Sequence, residues 1–429
     1  MANISSLRTT PLHDWHLQHN ANMAEFGGYH MPLWYTSGAK KEHLAVIKQA
    51  GMFDTSHMAV ITVEGEGSFS LLQSCFTKDI SRCIGRNHQP LSEGRSVYGL
   101  FLQQDGSVLD DAIVSLLSPK RYMIVVNSGM GSMVAEHLRS HCVDNTEIID
   151  FTDQLGKIDI QGPSAGYIIG SLFDNPDEVL HDMAYFSFKG DISQNSQSTL
   201  CTKGGIELLL SRTGYTGEFG FELFVRAADT MHMWQALLDA GKKHGVVTCG
   251  LASRDSLRAG AMLPLSHQDI GNWLFANTPW SFVLPWAETS NGFTKQFIGA
   301  EAVMAGSDAS FTYGFAGYDP RKLPAGDTTI VMDSNNRQLG RLLTCTTDMA
   351  IGRSNGHIFS VASPVSAGRP ADFIARGLCC GFIIADRPCK RGEKVLLSDG
   401  KRRLAVEIRD EVRPDRTARR PIGQMIITD

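Results

Sequence analysis

The stretch SRTGYTGEFGFE at residues 211–222 decides the fold, because it combines a Gly-rich turn with an aromatic ring and two carboxylates. Strand-like runs stand on both sides of the turn, LLL at residues 208–210 and FELF at residues 221–224. A flat polar ligand would lie against the ring of Tyr215 while the carboxylate of Glu222 accepts hydrogen bonds from its N–H groups. The alternative is an ordinary hairpin whose glycines serve only the turn.

The rest of the chain predicts an α+β architecture with a β-rich end. Residues 37–50 carry apolar side chains at helical spacing, and Gly51 follows where a C-terminal cap would end the helix. Residues 58–147 predict a compact α+β unit that contains a hairpin, signalled by Asp105-Gly106 between alternating runs. From about residue 311 the chain is Gly-rich and mostly strand-like.

Composition narrows the class of protein. The chain has 429 residues, 42% of them hydrophobic, and a net charge of -5, which argues against nucleic acid as a partner. No apolar run is long enough to span a membrane, and residues 1–8 lack a secretory core, so we expect a cytoplasmic or organelle-matrix protein without a membrane partner. The nine cysteines are scattered, with no Cys-x-x-Cys pair, so neither a disulfide framework nor a metal site is predicted.

Three further motifs accompany the Gly-rich turn. They are GMFDTSHM at residues 51–58, GSVLDD at residues 106–111 and GLASRDSLR at residues 250–258. In this order and at these intervals, the four segments resemble the T-protein of the glycine cleavage system and its relatives, a family of tetrahydrofolate-dependent one-carbon transferases. The likeness runs from about residue 10 to about residue 255 and thins beyond that.

The resemblance implies a three-domain cloverleaf around a central folate channel. Residues 1–57 and 148–270 would form the first, discontinuous domain, which carries the folate site. Residues 58–147 and 271–300 would form the second, α+β domain. Residues 301–429 would form the β-rich C-terminal domain.

Asp110 and Asp111 lie side by side on the strand that follows the predicted hairpin. Since successive side chains on a strand point to opposite faces, we expect only one of them to meet a given pocket. By resemblance Asp111 matches the aspartate beside the reactive folate nitrogen. There it would orient the reduced pterin and stabilise positive charge during transfer, so it is the predicted catalytic residue.

The resemblance also implies a set of residues that bind tetrahydrofolate. Glu222 would accept the N–H groups of the pterin, and Arg254 would engage the folate as a buried guanidinium. The alternative for Arg254 is a simple ion pair with Asp255 or another acid on its helix. The predicted cofactor-binding residues are Met58, Tyr98, Asn127, Tyr215, Glu222 and Arg254.

Beyond the folate half the chain departs from the family pattern. The family has Arg-Leu-Glu-Ala where residues 258–261 read RAGA, and residues 266–271 lack its tyrosine and final aspartate. Residues 343–352 keep little of a family turn. These changes favour a paralogue, such as a demethylase, that takes its one-carbon unit from a small N-, S- or O-methylated substrate.

The donor pocket would include His267, Trp273 and Trp280, because a tryptophan face attracts quaternary ammonium or sulfonium groups. Plain packing is the alternative role for each of these side chains. The alternative donor is the aminomethyl-lipoyl carrier protein of the authentic glycine cleavage system.

Two readings of another class remain open from the residues. GPSAG at residues 162–166 matches the nucleophile elbow of a serine hydrolase and lies between a predicted strand and a helix. A serine hydrolase of that class needs a series of βα units in a parallel sheet, whereas this chain alternates hairpins and helices. A folate-binding protein without turnover is the non-enzymatic alternative, which the retention of Asp111 disfavours.

Overall fold

A computed structural model of the chain describes residues 7–142, 145–192, 200–289, 291–306 and 310–426. Most of the N-terminal stretch predicted to lack a secretory core, residues 1–8, lies outside this part. Across the described ranges, every helix is too short or too polar to cross a membrane.

Strands make up most of the regular structure. In chain order they are β1 Asn22–Phe26, β2 Tyr29–Trp34, β3 Ala50–Asp54, β4 Ala59–Gly65, β5 Ser96–Leu102, β6 Val108–Ser118, β7 Arg121–Val126, β8 Thr146–Asp150, β9 Leu155–Gln161, β10 Phe188–Gly190, β11 Leu209–Ser211, β12 Gly220–Arg226, β13 Val246–Thr248, β14 Phe311–Gly317, β15 Gly326–Met332, β16 Gln338–Asp348, β17 Ile351–Ser354, β18 His357–Ser360, β19 Leu378–Ala385, β20 Lys394–Ser398 and β21 Arg403–Ile408.

Short helices connect these strands and cover the sheets. They are α1 His13–Gln18, α2 Ala39–Lys48, α3 Ser68–Cys75, α4 Gly131–Ser140, α5 Ala165–Gly170, α6 Pro176–Leu180, α7 Thr230–Gly241, α8 Leu251–Gly260, α9 Ala300–Ala305 and α10 Ile422–Met425.

The first sheet has the order β10-β11-β12-β9-β3-β13, and its neighbours are antiparallel except for β13 against β3. Helices α5 and α7 pack on it through a core that includes Ile158, Phe221 and Trp234. The Gly-rich turn connects β11 to β12, as the sequence predicts.

The second sheet has the order β5-β6-β7-β4-β8. The predicted hairpin is confirmed, because β5 pairs with β6 across a turn in which Gly106 has a φ of 76°. Strand β8 pairs with β4 in this sheet and runs past residue 147, where the first segment of the predicted second domain ends. The predicted domain bounds stay a prediction.

The C-terminal part is a closed barrel with the order β14-β19-β16-β15-β20-β21. This confirms the predicted β-rich C-terminal domain, although the sequence did not predict closure. Helix α8 packs against α2 and β2 on one side and against the barrel strands β16 and β19 on the other. It therefore connects the barrel to β2, which pairs with β1 in a separate two-stranded sheet, and to α2, which packs on β3 of the first sheet.

The prediction that Gly51 caps a helix is wrong. Helix α2 ends at Lys48, and Gly51 lies inside strand β3. A Cβ atom on Gly51 would stand 2.4 Å from Cγ2 of Val46 and 2.7 Å from Sγ of Cys249. The glycine is required by close packing between the strand and the helix before it, and such contacts carry no local sequence signal.

Candidate functional site

Strand β6 presents an acid pair, Asp110 and Asp111, to the amide of Asn127. The backbone N–H of Asn127 donates to Oδ2 of Asp110 at 2.9 Å, and its Nδ2 donates to Oδ1 of Asp110 at 2.7 Å and to Oδ1 of Asp111 at 2.5 Å. The hydroxyl of Tyr98, on β5, donates to Oδ2 of Asp111 at 2.7 Å. Asp110 is fully buried and Asp111 half-buried.

Both members of the acid pair thus reach one amide, and the expectation that only one of them meets a given pocket stays a prediction. In the pairing of β5 with β6, Phe101 lies opposite Asp110 and Leu102 lies opposite Val108, which leaves Leu109 as an extra residue. Such a bulge bends the strand and re-aims its side chains. Asp110 and Asp111 come directly after the bulge, opposite Phe101 and Leu100, and one amide reaches both carboxylates.

Burial is the largest cause that raises the pKa of both carboxyl groups in the acid pair. For Asp111 the neighbouring charge of Asp110 raises the pKa further, while the hydrogen bonds from Tyr98 and Asn127 act in the opposite direction. The pKa of Tyr98 is also raised well above its usual value by burial and by Asp111. The pair therefore holds a proton more strongly than two ordinary aspartates would.

A second group, the charged cluster, consists of Lys157, Asp159, Glu222 and Arg254. Glu222 on β12 lies opposite Asp159 on β9. The ammonium of Lys157 donates to Oδ1 of Asp159 at 2.7 Å and also to Glu222. Nη1 of Arg254 donates to Oδ2 of Asp159 at 2.6 Å. The partner of Arg254 is thus Asp159, and not Asp255 on its own helix.

Glu222 keeps one further contact, from the Gly-rich turn. The hydroxyl of Thr213 donates to its second carboxylate oxygen. Burial raises the pKa of Glu222, and the charge of Lys157 counteracts this. Burial alone would raise the pKa of Asp159, but the neighbouring cations Lys157 and Arg254 lower it below its usual value. The cluster therefore holds two buried carboxylates against two buried cations.

Tyr215 contacts the charged cluster and is influenced by the charge of the acid pair. The guanidinium carbon of Arg254 is 5.0 Å from the centroid of the Tyr215 ring, and the hydroxyl of Tyr215 donates to the carbonyl of Pro264. Burial is the main cause that raises the pKa of Tyr215, and the charges of Asp111 and Arg254 shift it in opposite directions. The ring is thus within electrostatic reach of both groups.

Met58 is connected to the charged cluster through Thr55. Its backbone N–H donates to the carbonyl of Thr55 at 3.0 Å, which closes a tight turn. The hydroxyl of Thr55 donates to Oδ1 of Asp159 at 2.8 Å. The side chain of Met58 is half-buried and packs beside an apolar cluster that includes Val60 and Met123.

Sequence reasoning missed Lys157, Asp159 and Thr213. A signal for the first two was present, because two charged residues at positions i and i+2 share one face of a strand that is otherwise apolar. All seven residues of β9 are buried, so both charges needed partners from elsewhere in the fold.

The three predicted donor residues lie in different surroundings. Nε2 of His267 is 3.7 Å from Oδ1 of Asp110, and the side chain is 42% exposed. Trp273 packs under the guanidinium of Arg341 at 5.3 Å. Trp280 is buried and donates its indole N–H to the carbonyl of Met262 at 2.9 Å. Of these three, His267 is the one placed beside the acid pair.

Gly260 stands where the family pattern has a glutamate. The carboxylate of Asp348 lies beside it. A Cβ on Gly260 would stand 2.0 Å from Oδ2 of Asp348 and 2.8 Å from Nη1 of Arg413. Those two groups form a buried ion pair at 2.5 Å, and Asp348 also accepts a bond from Nε2 of His43 at 2.9 Å. The barrel strand β16 therefore supplies an acid next to the position where helix α8 lacks one.

The surroundings of Ser164 do not match a hydrolase elbow. Strand β9, which precedes it, is antiparallel to both of its neighbours, β12 and β3. Ser164 itself has helical dihedral angles, φ -87° and ψ -4°. The parallel sheet that the hydrolase class requires is not formed by the described residues around this motif.

Comparison with known proteins gives a consistent result. The family model described as the GCVT N-terminal domain matches residues 12–287. The chain is similar to an aminomethyltransferase of Geobacillus sp. (strain WCH70), at 36% identity over 62% of this chain and 67% of the relative. It is also similar to one of Anoxybacillus flavithermus, at 31% identity over 82% and 89%.

A solved structure shows the same fold. The glycine cleavage system aminomethyltransferase T from Bartonella henselae superposes with a TM-score of 0.73 at 24% identity. The superposition covers 94% of this chain and 97% of the other. It agrees with the predicted α+β architecture.

Proposed function

We propose that this chain, which belongs to the glycine cleavage T-protein (GCVT) family, transfers a one-carbon unit from a small N-, S- or O-methylated substrate to tetrahydrofolate. Membership of the family makes it an enzyme that transfers one-carbon units. The donor, the folate acceptor, the roles of single residues and the three-domain division around a central channel are parts of the proposal.

The charged cluster fits the pterin of a reduced folate. A carboxylate has about four lone-pair positions, and Lys157 and Thr213 each occupy one on Glu222. The remaining positions would accept the paired N–H groups of the pterin. The ring of Tyr215 offers a flat surface, and Arg254 would complete the folate contacts. Tetrahydrofolate would supply the nitrogen that receives the one-carbon unit.

The acid pair is the observation that carries the proposal. Asp111 is half-buried and is held by Tyr98 and Asn127, with Asp110 behind it. Its raised pKa keeps a proton available near neutrality, and its ionised form would stabilise positive charge on a nitrogen. We propose that Asp111 orients the pterin and handles the proton of the transfer.

The donor side supports a small substrate. Ser266 stands where the family has a tyrosine, and the exposed imidazole of His267 is beside Asp110. A smaller side chain at residue 266 leaves more room next to the acid pair for a methylated substrate. We propose that His267 contacts the donor, whereas the buried Trp280 supports the core.

The second candidate donor is an aminomethyl group on a lipoyl carrier protein. Two observations favour it: the relatives are named aminomethyltransferases, and Asp348 places a carboxylate beside position 260. In that case the barrel would supply the carboxylate that helix α8 lacks at position 260.

The test is a product assay with tetrahydrofolate and two kinds of donor. One series contains N-methylated amino acids, sulfonium compounds and aryl methyl ethers, and the other contains the aminomethylated carrier. We expect methyl- or methylene-tetrahydrofolate with a small donor and no release of ammonia from the carrier. Rapid release of ammonia with the carrier, and no product with any small donor, would replace the proposal with its alternative. Asp111→Asn is assayed beside the unchanged chain. Its matched control is Asp105→Asn, which lies in the turn of the same hairpin.

A further inference from the structure

Three side chains that commonly bind metals, none of them in the acid pair or the charged cluster, meet on the helices of the second sheet. Cys75 is the last residue of α3, His137 lies in α4, and His141 follows the end of α4. One ligand atom from each residue lies within 4.8 Å of the others. Both helices pack on strand β4 of the second sheet. The cysteine and the histidines are far apart in the chain, so no local spacing motif could predict this cluster.

His137 provides an independent sign of a missing partner. Its Nε2 atom is buried and has no hydrogen-bond partner among the described residues. Leaving a buried polar atom without a hydrogen bond is costly, so such atoms usually have a partner. A metal ion at the centre of the cluster would satisfy this nitrogen.

His141 is prepared as a ligand by its own hydrogen bond. Its Nδ1–H donates to the carbonyl of His137 at 2.8 Å, which leaves the lone pair on Nε2. Metal-binding histidines commonly donate their second ring N–H to a carbonyl in this way. The spacing i, i+4 also places both imidazoles on one face of the helix end, and their ring centroids are 4.8 Å apart.

Access from solvent is available beside His137. A surface depression of about 420 Å³ is lined by Gln103, Met133, Glu136, His137 and Ser140. Cys75 itself is fully buried, so an ion would reach it from the side of the histidines.

We propose that Cys75, His137 and His141 bind a zinc ion, with a water molecule from this depression as the fourth ligand. One thiolate and two imidazoles suit zinc, whereas magnesium and calcium require oxygen ligands. Zinc–ligand distances of about 2.0–2.3 Å need ligand atoms about 3.5 Å apart, so the cluster must close by roughly 1 Å. The ion would tie α3 to α4 on the second sheet.

Binding releases a proton. The Cys75 S–H bond breaks, the sulfur forms a bond to zinc, and the proton passes to the buffer. The electron pair stays on sulfur, so no oxidant or reductant is needed.

The test is calorimetric titration of the metal-free, untagged full chain with zinc chloride, in two buffers of different ionisation enthalpy. We expect one zinc per chain and the release of about one proton. Cobalt(II) in place of zinc should give a thiolate-to-cobalt charge-transfer band that is absent in Cys75→Ser. His141→Ala changes an exposed side chain and should weaken zinc binding by at least about tenfold.

The matched controls are His232→Ala, an exposed histidine on α7, and Cys201→Ser, an exposed cysteine. Both should bind zinc as the unchanged chain does. Unchanged zinc affinity in His141→Ala together with an unchanged cobalt spectrum in Cys75→Ser would overturn the proposal. So would the absence of stoichiometric zinc binding by the unchanged chain.

Discussion

Asp111 acquires its chemistry from its surroundings. Its carboxylate is held by Tyr98 and Asn127, and the neighbouring Asp110 is fully buried. Ionising both of two carboxyl groups that share one amide is unfavourable, because their negative charges repel each other. The arrangement proposed to let Asp111 handle a proton therefore costs stability at higher pH.

We predict that Asp111→Asn lowers transfer activity by about 10²–10⁴-fold while stabilising the fold at higher pH. A carboxyl group whose pKa is raised by folding stabilises the fold at low pH, and this contribution is lost as pH rises through the folded pKa. The asparagine has no such loss. The free energy of unfolding of the variant, relative to the unchanged chain, should increase with pH by on the order of 1 kcal/mol. Urea unfolding across a pH series measures this difference, and a flat difference would contradict it.

Lys157 is the side chain that makes a buried Glu222 possible. It contacts both Glu222 and Asp159, and all three residues are buried. We predict that Lys157→Met lowers the free energy of unfolding by about 3–5 kcal/mol, because a buried charge loses its partner. Denaturant unfolding measures the change. Lys189→Met on the same sheet removes a lysine that bonds a carbonyl, and it should have a much smaller effect.

The sequence predicts Asp111, Glu222 and Arg254 as site residues because they lie in compact motifs. It could not identify Lys157 and Asp159 as their partners, because those contacts form between strands whose pairing depends on the whole sheet. The same limit applies to Asp348, which reaches helix α8 from the barrel.

Among the elements, local signals predicted the hairpin of β5 and β6 and the strands beside the Gly-rich turn. They failed where an element is shaped by a distant neighbour. Gly51 looked like a helix cap but lies in β3, where Val46 and Cys249 leave no room for a Cβ. The bulge at Leu109, directly before the acid pair, also had no local signal.

Helix α8 offers a test of this packing at Gly260. Alanine usually stabilises a helix relative to glycine by about 1 kcal/mol. At Gly260 the added Cβ would collide with the ion pair of Asp348 and Arg413, so we predict a net loss of about 1–3 kcal/mol. Thermal unfolding measures it. Gly423→Ala in α10, where a Cβ meets nothing within 4 Å, is the control and should not destabilise. Equal effects of the two substitutions would contradict the assignment.

In the whole molecule, buried ion pairs connect the barrel side to the first sheet. Arg413 contacts Asp348 at 2.5 Å and Glu218, which lies in the Gly-rich turn, at 3.1 Å. His43 on α2 also bonds Asp348. The sequence predicted a β-rich C-terminal domain, but closure of the barrel depends on the register of strands far apart in the chain, such as β14 and β21.

We predict that Asp348→Asn weakens this connection. The nearby cation of Arg413 and the bond from His43 lower the pKa of Asp348 against the effect of burial. A lowered acid pKa stabilises the fold above the unfolded pKa, and this is lost as pH falls through the folded pKa. The variant should therefore lose about 3–5 kcal/mol at neutral pH and less in acid. Hydrogen exchange should rise in both α8 and β16.

Asp327→Asn is the control for this prediction, since Asp327 pairs with Arg341 on the exposed surface of the barrel. It should change the free energy of unfolding by less than about 1 kcal/mol. A loss in Asp348→Asn that does not shrink in acid would contradict the assigned cause.

The most direct test of the proposed folate site is calorimetric titration of the full chain with tetrahydrofolate, with Glu222→Gln measured beside it. We predict one bound molecule per chain and an affinity about 10- to 100-fold lower in the variant, because a charge-assisted hydrogen bond contributes about 1.5–3 kcal/mol. Glu207→Gln, which changes an acid just before β11, should bind as the unchanged chain does. No binding heat with the unchanged chain, or equal affinity in all three proteins, would contradict the site.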